Sequence, residues 1–341
     1  MSERKQGTLR QQSGIGLIEL MVALLIGLFL ILGAVTVFNQ SRNSYRASES
    51  AARLQEIGRL AMDIIETDVR MANFWGMSNR ADYIVNRVPL GGSPPAAFNA
   101  TQQASSAICG TSSAPTNYFV LNLDQYLGGS NNTYNLTCAA DNYRAGTDTL
   151  WLRRASTEQP VAMNQNRIYL QTSRVQGTLF IPASTCLDPQ DTACIPADYL
   201  PPASQTRELD VHVYYVSSQS TNRDDVPALR RKRFADANAA AANVFVDEEI
   251  VPGVEDLEVR LGVDTNGDTN IDQYVNPGAV PANAQVVSAT IWLRIRAEER
   301  DFGHVDDTPY QYGDMAAPVT LNDNYRRIVL MKTIQIRNTR A

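Results

Sequence analysis

GIGLIELMVALLIGLFLILGAVTVF, residues 14–38, is the stretch whose reading decides the fold. From Ile15 to Phe38 every residue is apolar or small except Glu19 and Thr36. Coiled as an α-helix these residues extend about 36 Å, enough to cross a hydrocarbon core of about 30 Å with some tilt. The pattern predicts a membrane span over 15–38. A cleaved secretory signal has a shorter apolar region, about 7 to 15 residues, with the cut site after it. Here a basic leader with Arg4, Lys5 and Arg10 ends at Ser13-Gly14, ahead of the run. A carboxylate at bilayer depth is costly and calls for a partner. A cut between Gly14 and Ile15 creates one, the new α-ammonium of Ile15.

The sequence of leader, Gly14, Ile15-Gly16-Leu17-Ile18-Glu19 and long apolar helix resembles the class III signal of type IV pilins and type II secretion pseudopilins. The resemblance implies that prepilin peptidase cuts after Gly14 and that Ile15 becomes the N-methylated first mature residue. It also implies that Glu19 meets the N-terminus of a neighbouring subunit. Many major pilins carry a proline late in the span, where this chain has Thr36, so Gly27 and Gly33 are left to loosen the helix.

The 341 residues carry a net charge of −6, and the leader is itself positive, so the remainder is more acidic still. That balance does not suggest nucleic acid. The basic leader stays in the cytoplasm by the positive-inside tendency, and the rest is exported. Cys109, Cys138, Cys186 and Cys194 all lie in the exported part. Three pairings are open, and chain order favours Cys109 with Cys138 and Cys186 with Cys194. In an oxidising periplasm such bridges persist. Zinc is the competing reading, but no CxxC spacing occurs and His212 and His304 lie far from any cysteine in sequence.

Past the span the helix is expected to continue in water from Asn39 to about Phe74, with Leu54, Ile57, Ala61, Ile64 and Asp68 on one stripe and mixed charges elsewhere. Gly76 is a natural stop. Two stretches, Val88 to Thr116 and Ile181 to Gln205, turn to Pro, Gly, Ser and Asn and hold three of the four cysteines. They are expected to be long loops and candidate partner surfaces. Strands are predicted over Tyr118 to Leu123, Asp148 to Arg154, Arg167 to Thr172, Glu208 to Ser217, Leu257 to Val263, Ile291 to Arg296 and Ile328 to Ile336. Their alternation implies one face on the helix and one in water. The expected fold is α+β, a type IV pilin fold in which a long N-terminal helix packs on an antiparallel β-sheet with disulfide-bearing loops. The domain reading is a leader over 1–14, a span over 15–38, an amphipathic continuation over 39–76 and a periplasmic head over 77–341.

Asp68 to Gly76, Gly253 to Asp264 and the closing segment Lys332 to Asn338 resemble matching parts of the PilW family of minor pilins, with related segments in J-type minor pseudopilins. That resemblance implies a minor pilin that helps prime assembly and sits near the pilus tip, supporting twitching motility and adhesion. Its implied partners are other minor pilins, the major pilin, a PilY-type tip adhesin, prepilin peptidase and the inner membrane. Before assembly it would be a single-pass inner-membrane protein with a periplasmic C-terminal domain, and afterwards part of the pilus at the cell surface. Two other readings are a J-type pseudopilin of type II secretion and a membrane-anchored periplasmic calcium-binding or hydrolytic domain.

Outside the N-terminus the sharpest motif is Asp264-Thr265-Asn266-Gly267-Asp268-Thr269-Asn270-Ile271-Asp272. Oxygen side chains at every second residue suit a hard cation with six to eight ligands, so Asp264, Asn266, Asp268, Asn270 and Asp272 could hold Ca2+. Against the EF-hand form, Thr269 stands at the sharp-turn glycine and Val275 at the bidentate glutamate. The alternative is a polar Asn-Gly turn that needs no metal. Arg230-Arg231-Lys232-Arg233 is an isolated basic run in an acidic domain, read as a solvated or partner-facing strand. His212 reads as a strand-face residue and His304 as a loop residue. No P-loop, HExxH, GxSxG or strand-linked GxGxxG is present, so no enzyme activity is expected.

Overall fold

A computed structural model describes residues 14, 16–89, 92–109, 118–239 and 244–339. One helix, α1 (Leu17–Arg70), is built from two successive sequence patterns. The chain divides into two units, Met1–Ala52 and Arg53–Ala341. In the first, the apolar side chains from Leu17 to Phe38 are exposed, and the helix is long and apolar enough to cross a membrane. Thr36 Oγ1 donates to Gly33 O at 2.8 Å, which satisfies the hydroxyl inside the helix.

In the second unit α1 buries Leu54, Gly58, Ala61, Met62, Ile65, Asp68 and Val69. The stripe is broader than expected, with Ile57 and Ile64 half-buried at its flank, because this part of α1 packs against two sheets. Gly58 marks the closest approach, since a Cβ there would stand 2.5 Å from Leu330 Cδ1. The helix stops at Arg70, four residues before Phe74. Asn73 takes a left-handed φ of 62°, its N–H donates to Arg153 O, and Ala155 N–H donates to Phe74 O. These backbone groups therefore enter a sheet edge instead of continuing the helix. Trp75 is fully buried, and its Nε1–H donates to Asn73 Oδ1 at 2.7 Å.

The β part comprises two sheets. The larger holds β1 (Ile84–Val85), β2 (Leu127–Ser130), β3 (Thr149–Ala155), β4 (Tyr169–Thr172), β5 (Gly177–Phe180), β6 (Gln205–Ser217), β7 (Ala228–Phe234) and β8 (Phe245–Pro252). Its order is β1-β5-β4-β6-β3-β2, with β7 on the other side of β6 and β8 beyond β7. Thirteen-residue β6 organises it, pairing β4 through Gln205 to Glu208, β3 through Leu209 to Tyr214 and β7 through His212 to Ser217. All pairs are antiparallel except β1 with β5. The second sheet, β9 (Val254–Asp264), β10 (Gln273–Val275), β11 (Gln285–Arg296) and β12 (Arg327–Gln335), is antiparallel in the order β10-β9-β11-β12.

Tyr118 to Leu123 forms 3-10 turns in place of the expected strand. Buried Arg153 explains this: its Nε donates to Phe119 O at 2.6 Å and its Nη1 to Gln125 O, drawing those carbonyls away from a ladder. Within the first long loop, α2 (Ala100–Ala107) is set by a capping box between Asn99 and Gln102. On β9, Glu255, Asp256 and Glu258 are buried along with Leu257, Val259, Leu261 and Val263, so its polar face does not meet water as expected. The segment between β11 and β12 lies over that face, with Tyr312 donating to Asp256 at 2.5 Å. Arg327 anchors the segment through Glu255 at 2.6 Å, Asp306 at 2.9 Å and Asp323 at 2.6 Å.

Candidate functional site

The first site is the start of α1. Glu19 lies in the first turn, where unpaired backbone N–H groups and the helix dipole favour an anion. Its Oε2 accepts from Gly16 N–H at 3.1 Å. Around it Leu17, Ile18 and Leu20 are exposed, so an apolar surface surrounds a single carboxylate. Gly14 is exposed, with open space about its Cα. Ile15 and the leader residues 1–13 lie outside the described residues.

The second site is where the last turns of α1 meet the larger sheet. Asp68 is buried and receives three kinds of donor there. His212 Nδ1–H donates at 2.6 Å, Arg154 through Nη2 at 3.0 Å and Nε at 3.2 Å, and the Tyr214 hydroxyl completes the set. Arg231 Nη1 stands 3.9 Å away. Burial alone would raise the Asp68 pKa, but His212, Arg154 and Tyr214 outweigh it and hold the carboxyl well below the usual range. Thus one helix residue ties together β3, β6 and β7. The sequence signal was a carboxylate in the middle of an apolar stripe, which requires buried partners. His212 is one of them rather than a plain strand-face residue.

A contrasting acid cluster escaped sequence reasoning. Asp148, Asp256 and Glu258 are buried near half-buried Asp314. Asp148 accepts backbone N–H bonds from Asn132 and Val259, both at 2.8 Å. Among the described residues Glu258 Oε2 has no hydrogen-bond partner. Burial first, then Asp148, Asp256 and Asp314, push Glu258 up to about 9. Burial likewise pushes Asp148 up to about 7, against the two N–H bonds. Asp256 and Glu258 share β9, while Asp148 precedes β3 and Asp314 lies between β11 and β12, so no local spacing brings the four together.

The loop over Asp264 to Asp272 holds itself together. Asp264 Oδ1 accepts from the N–H of Asn266 at 3.0 Å and of Gly267 at 2.7 Å, and Oδ2 from Thr269 N–H at 2.7 Å. Asn266 and Asp268 accept from N–H groups two residues on, and Asp272 accepts from Thr265 and Asn266. Thr269, at the sharp-turn position, has φ 67°. Asn270 keeps its place in the same loop, its N–H donating to Asp268 Oδ1. Among the described residues no group of three or more His, Cys, Asp or Glu side chains is arranged to hold a metal ion.

The cysteines pair as chain order favours, Cys109 with Cys138 and Cys186 with Cys194, at Cα separations of 4.5 and 5.0 Å. The basic run forms β7 and is matched by acids on β8. Arg230 and Lys232 each reach Asp247 at 2.8 Å, while Arg231 and Arg233 reach Glu248 at 2.9 and 3.1 Å. His304 lies half-buried in the loop after β11.

Comparison with known families gives two matches. Residues 9–35 match the prokaryotic N-terminal methylation motif, a segment that contains Gly14, Ile15 and Glu19. Residues 213–338 match the Type IV Pilus-assembly protein W family, PilW, and include the whole four-stranded sheet. No curated protein and no solved structure matches the chain. With the methylation motif at its start and the PilW match over its last four strands, the chain is similar in these two segments to type IV pilus minor pilins of the PilW family.

Proposed function

We propose that this minor pilin helps prime pilus assembly and is incorporated near the pilus tip, in support of twitching motility and adhesion. The observation that carries the reading is a single carboxylate, Glu19, set in an exposed apolar helix within the matched methylation motif. Before assembly the span holds the protein in the inner membrane with its head in the periplasm, after prepilin peptidase has cut between Gly14 and Ile15. On assembly the helix exchanges lipid for other pilin helices. Glu19, costly if unpaired in a dry bundle, then takes the N-terminal ammonium of a neighbour and favours one stagger. The neighbours are other minor pilins and the major pilin, with a PilY-type adhesin above them. Deletion of the gene is expected to abolish surface pili and twitching while type II secretion continues. Loss of secretion with pili intact would instead favour the J-type pseudopilin.

A second reading, calcium at Asp264 to Asp272, is favoured by the left-handed Thr269 at the turn position. A cation there shares or displaces the N–H donors already bonded to those oxygens, which limits affinity. Calorimetry of the full-length protein in detergent with millimolar calcium chloride should show heat that Asp264→Ala removes. No heat would dispose of this reading.

A further inference from the structure

Residues 297–326 join β11 to β12 as an irregular hairpin, its arms held by the Asp306–Asp323 and Tyr310–Val319 bridges. Its two ends are fastened in different ways. The base is pinned by guanidinium groups that keep their charge: Arg327 meets Glu255, Asp306 and Asp323, and Arg326 meets Asp301 at 2.8 Å. The tip, from Tyr310 to Val319, rests on β9 and β11 through weaker contacts. The Tyr312 hydroxyl donates to Asp256, Asn276 Nδ2 donates to Asp314 at 2.5 Å, and the Arg294 guanidinium carbon lies 5.6 and 6.0 Å from the Tyr310 and Tyr312 ring centres.

Beneath the tip lies Glu258, only 1% exposed. Gly313, with a left-handed φ of 63°, is seated on it so closely that a Cβ there would stand 2.6 Å from Glu258 Oε2 and 2.8 Å from Glu258 Cβ. The titratable groups facing this carboxyl are acids: Asp256 on its own strand, Asp148 ahead of β3 and Asp314 on the tip. From β11, uncharged Trp292 stands opposite it, and Arg294 is directed at Glu255, 2.7 Å away, and Asp256, 3.6 Å away. Arg260, two residues further along β9, donates to Tyr274 O at 2.9 Å, and Asn276 after β10 is neutral. Among the described residues no Lys, Arg or His forms an ion pair with Glu258, and its Oε2 receives no donor. The neutral acid is tolerable in that place, whereas the anion would be dry and unpaired among other carboxyl groups.

We propose that the tip, Tyr310 to Val319, is a pH-dependent flap: neutral Glu258 keeps it seated on β9, and ionised Glu258 lifts it while the Arg327 base stays in place. Water reaches Oε2 only when Gly313 rises from it, so opening releases a proton and closing takes one up. Burial and the surrounding acids push Glu258 up to about 9 with the flap closed, against an ordinary value of about 4.3 in water. The ratio of open to closed flap therefore rises about tenfold per pH unit between those values and levels off above the higher one. The tip tyrosines stay neutral over this range, since burial and the neighbouring carboxylates raise Tyr312 and push Tyr310 up to about 12. Asp148, pushed up to about 7 by burial, also titrates there, but its oxygens accept from Asn132 and Val259, outside the flap.

Double electron–electron resonance on the full-length protein in detergent tests this. The native cysteines are paired with one another, so nitroxides attach at introduced ones. Ala316→Cys on the exposed tip with Gln273→Cys on exposed β10 reports the flap, and Phe302→Cys with Gln273→Cys reports the base. From pH 6 to pH 9 the tip pair should gain a longer distance, growing about tenfold per unit against the closed one, while the base pair stays fixed. Glu258→Gln, neutral and of the same shape, should abolish the rise. Gly313→Ala, whose Cβ meets Glu258, should show the longer distance already at pH 6. A tip distance that stays single from pH 6 to pH 9, a rise that persists in Glu258→Gln, a Gly313→Ala flap that stays closed, or a base that moves with the tip would each overturn the proposal.

Discussion

From Leu17 to Phe38 the apolar side chains of α1 lie exposed, and both polar groups, Glu19 and Thr36, bond to backbone of their own helix. In the head the arrangement is reversed. Asp68, Arg153 and Glu255 are buried, as is the side chain of Arg327, and they find their partners across the fold. The helix is thus complete as local structure but incomplete as surface, whereas the head gives Asp68, Arg153, Glu255 and Arg327 internal partners and leaves Glu258 Oε2 without one among the described residues. Exposed apolar surface on this scale needs lipid or protein around it, and the same residues must be tolerable in one and specific in the other.

The head's self-sufficiency is most exposed to attack at Asp68. Asp68→Ala leaves Arg154 and Arg231 facing a buried gap, and urea denaturation of the full-length protein in detergent should show a loss of about 3 to 5 kcal/mol. A loss below about 1 kcal/mol would mean that the cluster does not fasten the helix to the sheet.

A smaller effect, opposite in sign, is expected at Glu258. Its folded-state pKa is raised above the unfolded value of about 4.3, so the stability it contributes is present in acid and lost as pH rises through about 9. Asp68, with a lowered pKa, contributes above about pH 4 and loses that contribution as pH falls through its folded value. Glu258→Gln should therefore gain about 1 to 3 kcal/mol over the unmodified protein between pH 5 and pH 9. An unchanged pH profile of the urea midpoint would remove the acid cluster from the account.

The smallest change in stability is expected at the exposed handle. Glu19→Ala should shift the midpoint by no more than about 0.5 kcal/mol, yet insert normally and lower surface pilus number severalfold. Normal pilus number in that variant would remove the charge-pairing mechanism.

How much of this was legible follows the same division. The span and Glu19 were plain because both lie in one uninterrupted stretch, and the strands around Val259, Leu293 and Leu330 were plain because they alternate. Strand β2, Leu-Gly-Gly-Ser, carries no β pattern and is held by pairing with β3. The basic run of β7 found its meaning in β8, whose acids stand opposite it in register. Asp68 was visible as a stripe residue, but its partners lie between 86 and 163 residues further along, beyond any spacing rule. The Asp148 and Glu258 cluster had no local signature at all.

We propose that the chain is processed as a pilin, so that the apolar helix is a temporary anchor carrying Glu19 near a free N-terminus. Mass spectrometry of the mature protein tests this directly. The mature chain should begin at N-methylated Ile15. A retained Met1, or a cut beyond Phe38, would contradict it.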